Sequence, residues 1–334
     1  MLKYYGKLVQ YQLDIRLATG EPRKYLYEPA AVYPRRSSKN LRSALCIATA
    51  LAFGGKIEDV LNSAVALELL HNAFLIHDDV EDGSKYRRGG PTLHTEFGLG
   101  IAINAGDALG ALSISQLMDN RNILGSRLAW HIFAEFDHLA RQTVEGQALE
   151  LGWVRDNRLD LTEADYFRMI LKKTCWYTTI HPCRIGALVG VSGACQPERF
   201  NRFGYYLGAA FQIQDDVLNL VGDEKLYGKE IAGDLLEGKR TLVLIHLLHN
   251  CTSSERQRLR RFLTASGCQR SRHELEWILQ LLGKYRSIDY AHSCACNLAS
   301  AALAEFPVAY RDAPRSEFTD FICAIIPYMV EREV

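Results

Sequence analysis

One acidic pattern occurs twice in this sequence, as DDVED at 78–82 and as DDVLN at 215–219, each directly after an apolar run. On an α-helix, residues four apart lie one turn apart on the same side. Asp78 therefore stacks with Asp82, and Asp215 stacks with Asn219. Carboxylates on one helical face repel each other, so a single such cluster is typical of a solvated surface. Two clusters that end apolar helices instead predict facing clusters that share cations.

The chemistry of these side chains favours Mg2+. Carboxylate and amide oxygens are hard ligands, and Mg2+ commonly binds a few carboxylates together with the phosphates of a substrate. A diphosphate is then the natural ligand, because its charge balances the charge of the metal ions. The predicted metal ligands are Asp78, Asp79, Asp82, Asp215, Asp216 and Asn219.

Basic residues lie around both acidic clusters in the sequence. Taken singly, each of them is typical of a surface cation, but their order around two acidic clusters predicts phosphate binding. Arg87 and Arg88 follow the first cluster directly, in a Gly-rich loop. The full set is Lys39, Arg42, Arg87, Arg88, Lys173, Lys229 and Lys239.

Helical periodicity predicts the elements that position these residues. Apolar residues repeat at spacings of three and four, and Ala and Leu are abundant. Thr162, followed by Glu163 and Asp165, predicts a helix start before Tyr166. Because no linker or composition break occurs, we expect a single all-α domain over residues 1–334 with a central bundle of long helices. The periodic segments are 43–53, 58–77, 100–118, 165–191, 202–221, 241–249, 274–284 and 318–330.

Charge, cysteine content and hydropathy indicate which partners and which compartment to expect. Lys plus Arg and Asp plus Glu both number 39, so we expect no nucleic-acid partner. The first residues show no signal-peptide pattern. The nine cysteines are scattered, which predicts free thiols in a reducing compartment. No apolar run approaches the ~18–20 residues that cross a bilayer. We therefore expect a soluble cytoplasmic protein with no transmembrane segment.

Further motifs accompany the acidic patterns in a fixed order. They read ALELLHNAFLIHDDVEDGSKYRRGGPTLH, AGDAL, GQALE, KT, FQIQDD and GDLLEGKRT. From about Lys39 to about Thr241 the chain resembles the trans-isoprenyl diphosphate synthases, which include the farnesyl and geranylgeranyl diphosphate synthases and their longer-chain relatives. The resemblance implies the isoprenoid-synthase bundle with a central tunnel. It also implies three Mg2+ ions per active site, replaceable by Mn2+, and a homodimer.

The resemblance also implies roles for individual residues. The first acidic pattern holds Mg2+ on the allylic diphosphate, and the second pattern faces it. Thr174 and Gln212 match positions near the reacting carbons. His71 lies two turns before Asp78 on the same helical face. The implied ligands of the allylic diphosphate are Arg87, Lys173, Lys229 and Lys239, and those of isopentenyl diphosphate are Lys39, Arg42, His71 and Arg88.

The chain departs from the family pattern at three places. Ser37-Ser38-Lys39-Asn40 stands where the family has GGKR, so the lysine is kept and one arginine is lost. Asn219 replaces the last aspartate of the second motif, and Glu150 replaces the aspartate of GQxxD. None of these changes removes an essential role.

The implied reaction joins isopentenyl diphosphate to dimethylallyl, geranyl or farnesyl diphosphate. Ala73 and Phe74 precede Asp78 by five and four residues, about 6–7.5 Å deeper along the helix. Animal-type farnesyl synthases place two aromatic residues there. Ala73 leaves room for one more isoprene unit and Phe74 blocks further growth, which predicts geranylgeranyl diphosphate (C20). The alternatives are a tunnel floor elsewhere, and a farnesyl or longer-chain product.

Two other functions stay open at this stage. A class I terpene cyclase shares the fold, but usually carries an NxxxSxxxE motif, and counting from Asn219 this chain has Asp223 and Tyr227 at those places. A cyclase would also have no isopentenyl diphosphate partner to explain Arg42 and Arg88. A non-catalytic subunit of a heteromeric synthase would be expected to have lost the acidic clusters, and this chain has both.

Overall fold

The computed structural model describes residues 1–36, 40–222, 232–265 and 271–331, which fold almost entirely into helices. The α-helices are α1 (Leu2–Ala18), α2 (Glu28–Arg35), α3 (Leu41–Ala52), α4 (Ile57–Asp82), α5 (Leu93–Phe97), α6 (Leu99–Met118), α7 (Asn120–Arg155), α8 (Glu163–Ile170), α9 (His181–Gly190), α10 (Phe200–Val221), α11 (Gly233–Glu237), α12 (Leu242–Asn250), α13 (Ser253–Thr264), α14 (Arg272–Lys284), α15 (Ser287–Ala309) and α16 (Glu317–Glu331). Two π-helical segments, Arg23–Tyr27 and Leu171–Ile180, and a 3-10 turn, Pro197–Arg199, lie between them. The all-α prediction is confirmed.

The central helix α4 carries the first acidic pattern at its C-terminal end. Glu58 and Asp59 in its first turn favour the helix through its dipole. By length and composition α4 could cross a membrane, but 72% of its most apolar 18-residue window is buried inside the fold. Such burial is typical of the core helix of a globular protein. The second acidic pattern likewise lies near the C-terminal end of a largely buried helix, α10.

A widened helical segment interrupts the long helix that runs from Glu163 to Gly190. This helix begins at Thr162, whose hydroxyl accepts the Asp165 backbone N–H while the Asp165 carboxylate accepts the Thr162 N–H. The predicted helix start is therefore confirmed. Residues Leu171–Ile180 then adopt π-helical geometry. Insertions of this kind are frequent at functional sites, and this one carries Lys173 and Thr174.

A short hairpin follows α4. Its strands β1 (Tyr86–Arg87) and β2 (Gly90–Pro91) pair antiparallel. Arg88 and Gly89 form the turn with φ of 51° and 73°. Positive φ at both central residues is the pattern of a type I′ turn, where glycine is favoured at the second position. The hairpin places Arg87 and Arg88 beside the first acidic cluster.

Buried apolar side chains form two clusters, and Leu298 on α15 contacts both. The eight cysteines in the described part of the chain are free thiols. Close packing of α10 against the π-helical segment depends on Gly208. A Cβ at this position would lie 2.6 Å from the Thr179 hydroxyl and 2.9 Å from the Cys175 Cα. Two helices that carry predicted site residues therefore meet in close contact at Gly208.

We predict that Gly208→Ala destabilises the protein by about 1–3 kcal/mol, because overpacking forces the two helices apart. Gly152→Ala on α7 is the control, since a Cβ there meets nothing within 4 Å and alanine favours a helix interior by ~0.8–1.0 kcal/mol. Chemical denaturation should show Gly208→Ala less stable and Gly152→Ala at least as stable as the parent. Equal stability of the two variants would contradict the close-packing argument.

Candidate active site

A cavity of about 1500 Å3 opens between the helices that carry the predicted residues. Its polar end contains residues of both acidic clusters together with most of the predicted basic residues in the described part of the chain. Its apolar wall comes from α4, α7, α10 and the π-helical segment. The apolar residues that line it include Phe74, Leu75, Val144, Ala148, Leu151, Tyr177 and Phe211.

The first acidic cluster is surrounded by cationic side chains. Asp78 lies 3.1 Å from Arg87 Nη2 and 3.4 Å from Lys173 Nζ. Gln147 on α7 donates a hydrogen bond of 3.3 Å to Asp78. Asp82, one turn later, lies 2.5 Å from Lys239 Nζ. Burial and then repulsion by Asp78 raise the pKa of Asp82 to about 8, against the opposing effect of Lys239.

Asp79 has a different environment from its neighbour. Its carboxylate accepts a 2.5 Å hydrogen bond from the Tyr33 hydroxyl and bonds of 2.5–3.1 Å from Arg87. The residue is fully buried and does not line the cavity. This position counts against the predicted metal contact, because both carboxylate oxygens already accept strong hydrogen bonds. The geometry favours a role for Asp79 in holding Arg87 in place.

The second acidic cluster lies opposite, on α10. Asp215 and Asp216 both line the cavity. Asp216 accepts hydrogen bonds from the Tyr166 hydroxyl at 2.7 Å and from Gln212 Nε2 at 2.8 Å. Burial, followed by repulsion from Asp234, raises the pKa of Asp216 well above its usual range. Gln212 also accepts a 2.7 Å hydrogen bond from Thr174, so the two residues predicted near the reacting carbons contact each other.

Asn219 lies behind this cluster. Its side-chain oxygen accepts the backbone N–H of Asp234 at 3.1 Å, and its backbone carbonyl accepts the N–H of Ala232. It is 2% exposed and does not line the cavity. The geometry therefore favours a capping role at the start of α11 over the predicted metal contact. Asp234, which does line the cavity, brings a third carboxylate to this side.

Two lysines lie between the acidic clusters. Lys173 pairs with Asp78 and Glu150, and Lys239 pairs with Asp82, Glu237 at 2.8 Å and Asp234 at 3.8 Å. Burial alone lowers the pKa of each lysine, but the surrounding carboxylates raise both above the usual value. Lys239 therefore bridges from α4 to α11.

The donor set fits divalent cations. Asp78, Asp215 and Asp216 offer hard oxygen atoms to the cavity, and Asp82 lies behind them against Lys239 without lining the cavity. Burial, followed by repulsion from neighbouring carboxylates, raises the pKa of Asp82 and Asp216. A cation placed beside such a carboxyl group stabilises its charged form. The lysine ammonium groups supply part of this positive charge in the structure described.

A separate basic group forms the other part of the polar end. Arg42 Nη1 and Arg88 Nη2 lie 3.3 Å and 3.4 Å from Nε2 of His71. Arg42 also donates to the Tyr177 hydroxyl at 2.6 Å. Burial and the adjacent arginines lower the pKa of His71 well below its usual range. His71 is therefore neutral with the proton on Nδ1, and that atom has no hydrogen-bond partner among the described residues.

The apolar wall begins directly behind the acidic residues. Phe74 lines the cavity and makes an edge-to-face contact with Tyr177 at a centroid distance of 5.9 Å. Ala73 is 3% exposed and packs in the core of the bundle without lining the cavity. Of the two residues predicted to set chain length, Phe74 thus faces the cavity directly and Ala73 supports the wall behind it.

Comparison with known proteins shows the family and the fold of the chain. The model of the polyprenyl synthetase family matches residues 23–282. The chain belongs to this family. It is 33% identical over 281 residues to the geranylgeranyl diphosphate synthase of Saccharolobus solfataricus, covering 83% of each chain. The structure of geranylgeranyl pyrophosphate synthetase from Pyrococcus horikoshii superposes with a TM-score of 0.85 at 29% identity, covering 99% of this chain and 97% of that one.

A third structure, geranylgeranyl pyrophosphate synthase from Corynebacterium glutamicum complexed with isoprenyl diphosphate and magnesium, has a TM-score of 0.86 over 99% of each chain. At 22% identity this likeness shows the isoprenoid-synthase fold alone. The family match makes this polyprenyl synthetase a trans-prenyltransferase. The predicted enzyme class is therefore confirmed. Enzymes of the family use divalent cations with diphosphate substrates.

The structure brings most of the predicted residues of this polyprenyl synthetase to one cavity. Lys39 and Lys229 lie outside the described residues. Sequence reasoning did not assign Tyr33, Tyr177 or Asp234 to the site. Asp234 could have been found because it lies within the GDLLEGKRT motif, and Tyr177 because it follows Lys173 by about one turn. Tyr33 has no signal in the sequence, because its contact with Asp79 joins residues 46 positions apart.

We predict different consequences for the two neighbouring aspartates. Asp78→Asn should lower the rate by at least roughly 100-fold, the scale of a lost transition-state interaction. Thermal stability should change little, because weaker repulsion with Asp82 offsets weaker attraction to Arg87 and Lys173. Asp79→Asn should also lower the rate, but should destabilise the fold by about 3–5 kcal/mol, because it breaks a buried pair with Arg87. Steady-state rates and denaturation curves measure both.

Tyr33→Phe is the control for Asp79, since it removes one hydrogen bond and leaves the charge pair. It should cost about 0.5–1.5 kcal/mol. A near-normal rate for Asp78→Asn, or a stable Asp79→Asn variant, would contradict the roles given to these two residues.

Proposed function

We propose that this polyprenyl synthetase condenses isopentenyl diphosphate with allylic diphosphates, up to farnesyl diphosphate, and releases mainly geranylgeranyl diphosphate (C20). The proposal is supported by two distinct groups of cationic side chains in and beside one cavity. Lys173 and Lys239 lie among the carboxylates of the acidic clusters, and Arg42 and Arg88 lie around His71. An enzyme that joins two diphosphates needs two such groups at the head of one apolar cavity.

The lysine-containing group is proposed to bind the allylic diphosphate. Lys173 and Lys239 would turn from their carboxylates to the phosphates, and Arg87 would remain fixed by Asp79. Three Mg2+ ions, for which Mn2+ can substitute, would add the charge that stabilises the departing diphosphate when bound. Asp78, Asp82, Asp215 and Asp216 would hold them. Lys229, outside the described residues, is proposed for the same group.

The arginine and histidine group is proposed to bind isopentenyl diphosphate, together with Lys39. It places the double bond of this substrate beside the allylic carbon, near Thr174 and Gln212. The allylic C–O bond breaks, the double bond attacks the resulting cation, and the departed diphosphate accepts the proton that is lost. Phe74, Tyr177 and Phe211 exclude water, which would otherwise quench the cation.

The exposed apolar surface of α6 and α7 supports the proposed homodimer. Leu99, Ile103, Ile114 and Met118 are 41–58% exposed and lie on one face of α6, and Trp130 on α7 is 68% exposed. Surfaces of this kind mark protein interfaces. We further propose that residues 1–334 form one domain and that the protein is cytoplasmic. The burial of α4 supports the absence of a transmembrane segment.

Product analysis tests this proposal. Labelled isopentenyl diphosphate with farnesyl diphosphate and Mg2+ should give C20 alcohol after phosphatase treatment, and EDTA should abolish incorporation. Ala73→Phe should shorten the product toward C15, because an aromatic ring would push the wall into the cavity. Phe74→Ala should lengthen the product past C20, because it removes the ring that lines the cavity.

Leu70→Ala, one turn from Phe74 and outside the cavity lining, is the control and should leave the chain length unchanged. A parent product of C15 or of C30 and longer would contradict the C20 assignment, as would variants that leave the product distribution unaltered. A cyclic hydrocarbon, or no incorporation at all, would contradict the proposed reaction.

A further inference from the structure

Glu68 is a buried acid in a region that is otherwise arranged to bind anions. It lies on α4, ten residues before Asp78, and it is 1% exposed. It lines the same end of the cavity as Arg42, His71 and Arg88. Burial of a carboxylate is unfavourable unless the charge is compensated. Its position therefore requires a physical reason.

The carboxylate is held by the first turn of α3. Its Oε1 atom accepts the Ser43 backbone N–H at 3.2 Å and the Ser43 hydroxyl at 2.9 Å. The positive end of a helix dipole favours a negative charge at this place. The other oxygen, Oε2, has no hydrogen-bond partner within the described ranges. The Oε2 atom therefore interacts with its surroundings only through its charge.

The nearby arginines lack a carboxylate partner of their own in the described part of the chain. Arg42 donates to Tyr177 and to Thr178 at 2.9 Å. Arg88 donates to the Tyr33 carbonyl at 3.0 Å and to Asn72 Oδ1 at 3.3 Å. All of these acceptors are neutral. Burial, together with Arg87 and Arg42, lowers the pKa of Arg88 to about 10, and Glu68 acts in the opposite direction.

We propose that Glu68 is the resident counter-anion of the isopentenyl diphosphate group, and that its charge positions Arg42 and Arg88 while weakening the binding of the diphosphate. The inference rests on the proposed function, which assigns this group to isopentenyl diphosphate. Like charges repel over several ångströms in a partly buried site. Glu68 therefore stabilises the two cations before substrate binds and opposes the phosphates after it binds. It is a positioning residue, because it acts through the arginines.

Glu68→Gln tests the charge with little change in shape, since the amide oxygen still accepts the Ser43 hydrogen bonds. The KM for isopentenyl diphosphate should fall about 3- to 10-fold, while the KM for farnesyl diphosphate stays within 2-fold. Without ligand the variant should melt below the parent. In EDTA, isopentenyl diphosphate should raise the melting temperature of the variant more than that of the parent.

Ser43→Ala is the matched control. It removes the hydrogen bond from the Ser43 hydroxyl to Glu68 and leaves the charge, so it should lower stability without lowering the KM for isopentenyl diphosphate. An unchanged or raised KM in Glu68→Gln would overturn the proposal and leave Glu68 with a structural role only. A parent enzyme that does not incorporate isopentenyl diphosphate would instead overturn the proposed function.

Asn72→Asp gives a second test that does not depend on the folding of Glu68→Gln. It places a new negative charge against Arg88, one turn after Glu68, and should raise the KM for isopentenyl diphosphate about 10-fold. An unchanged KM would show that the arginine group does not respond to neighbouring charge, and this result would also overturn the proposal.

Discussion

The compensation of buried charge is the constraint on which the rest of this molecule depends. The ends of α4 and α10 bring Asp78, Asp82 and Asp216 into a partly buried region, where like charges repel strongly. Lys173 and Lys239 compensate part of this charge. In the proposed function, cations and a diphosphate that bind here would compensate the remaining negative charge. Stability and catalysis would then depend on one set of contacts.

Several features of the fold bring cationic side chains to the buried carboxylates. The π-helical segment directs Lys173 and Thr174 into the cavity from a helix that also packs on α10 through Gly208. The type I′ turn of the hairpin returns Arg87 and Arg88 toward α4. Asp79 fixes Arg87 from the buried side. Behind these polar groups the wall of the cavity is apolar.

Local patterns in the sequence predicted much of this arrangement, because helical periodicity and acidic spacing depend on residues close together in the chain. The all-α class, the start at Thr162 and the two acidic helix ends were predicted in this way, whereas α1, α7 and α15 lie outside the periodic segments that were identified. Contacts between distant residues were not predicted. Asp79 and Asn219 were predicted as metal ligands by helical spacing, but that spacing gave no sign of their hydrogen bonds with Tyr33 and with the backbone of Asp234. Glu68 carried no signal, since its burial depends on how α3 and α4 pack.

The lysines and carboxylates are proposed to form a site that only cations and a diphosphate together complete. Calorimetric titration of the protein with inorganic pyrophosphate, in Mg2+ and in EDTA, tests it most directly. We predict that pyrophosphate binds about 100-fold more tightly with Mg2+, at the upper end of usual coupling between ligands, and that Mg2+ alone binds weakly. Equal affinity for pyrophosphate in Mg2+ and in EDTA, or tight binding of Mg2+ alone, would contradict the account.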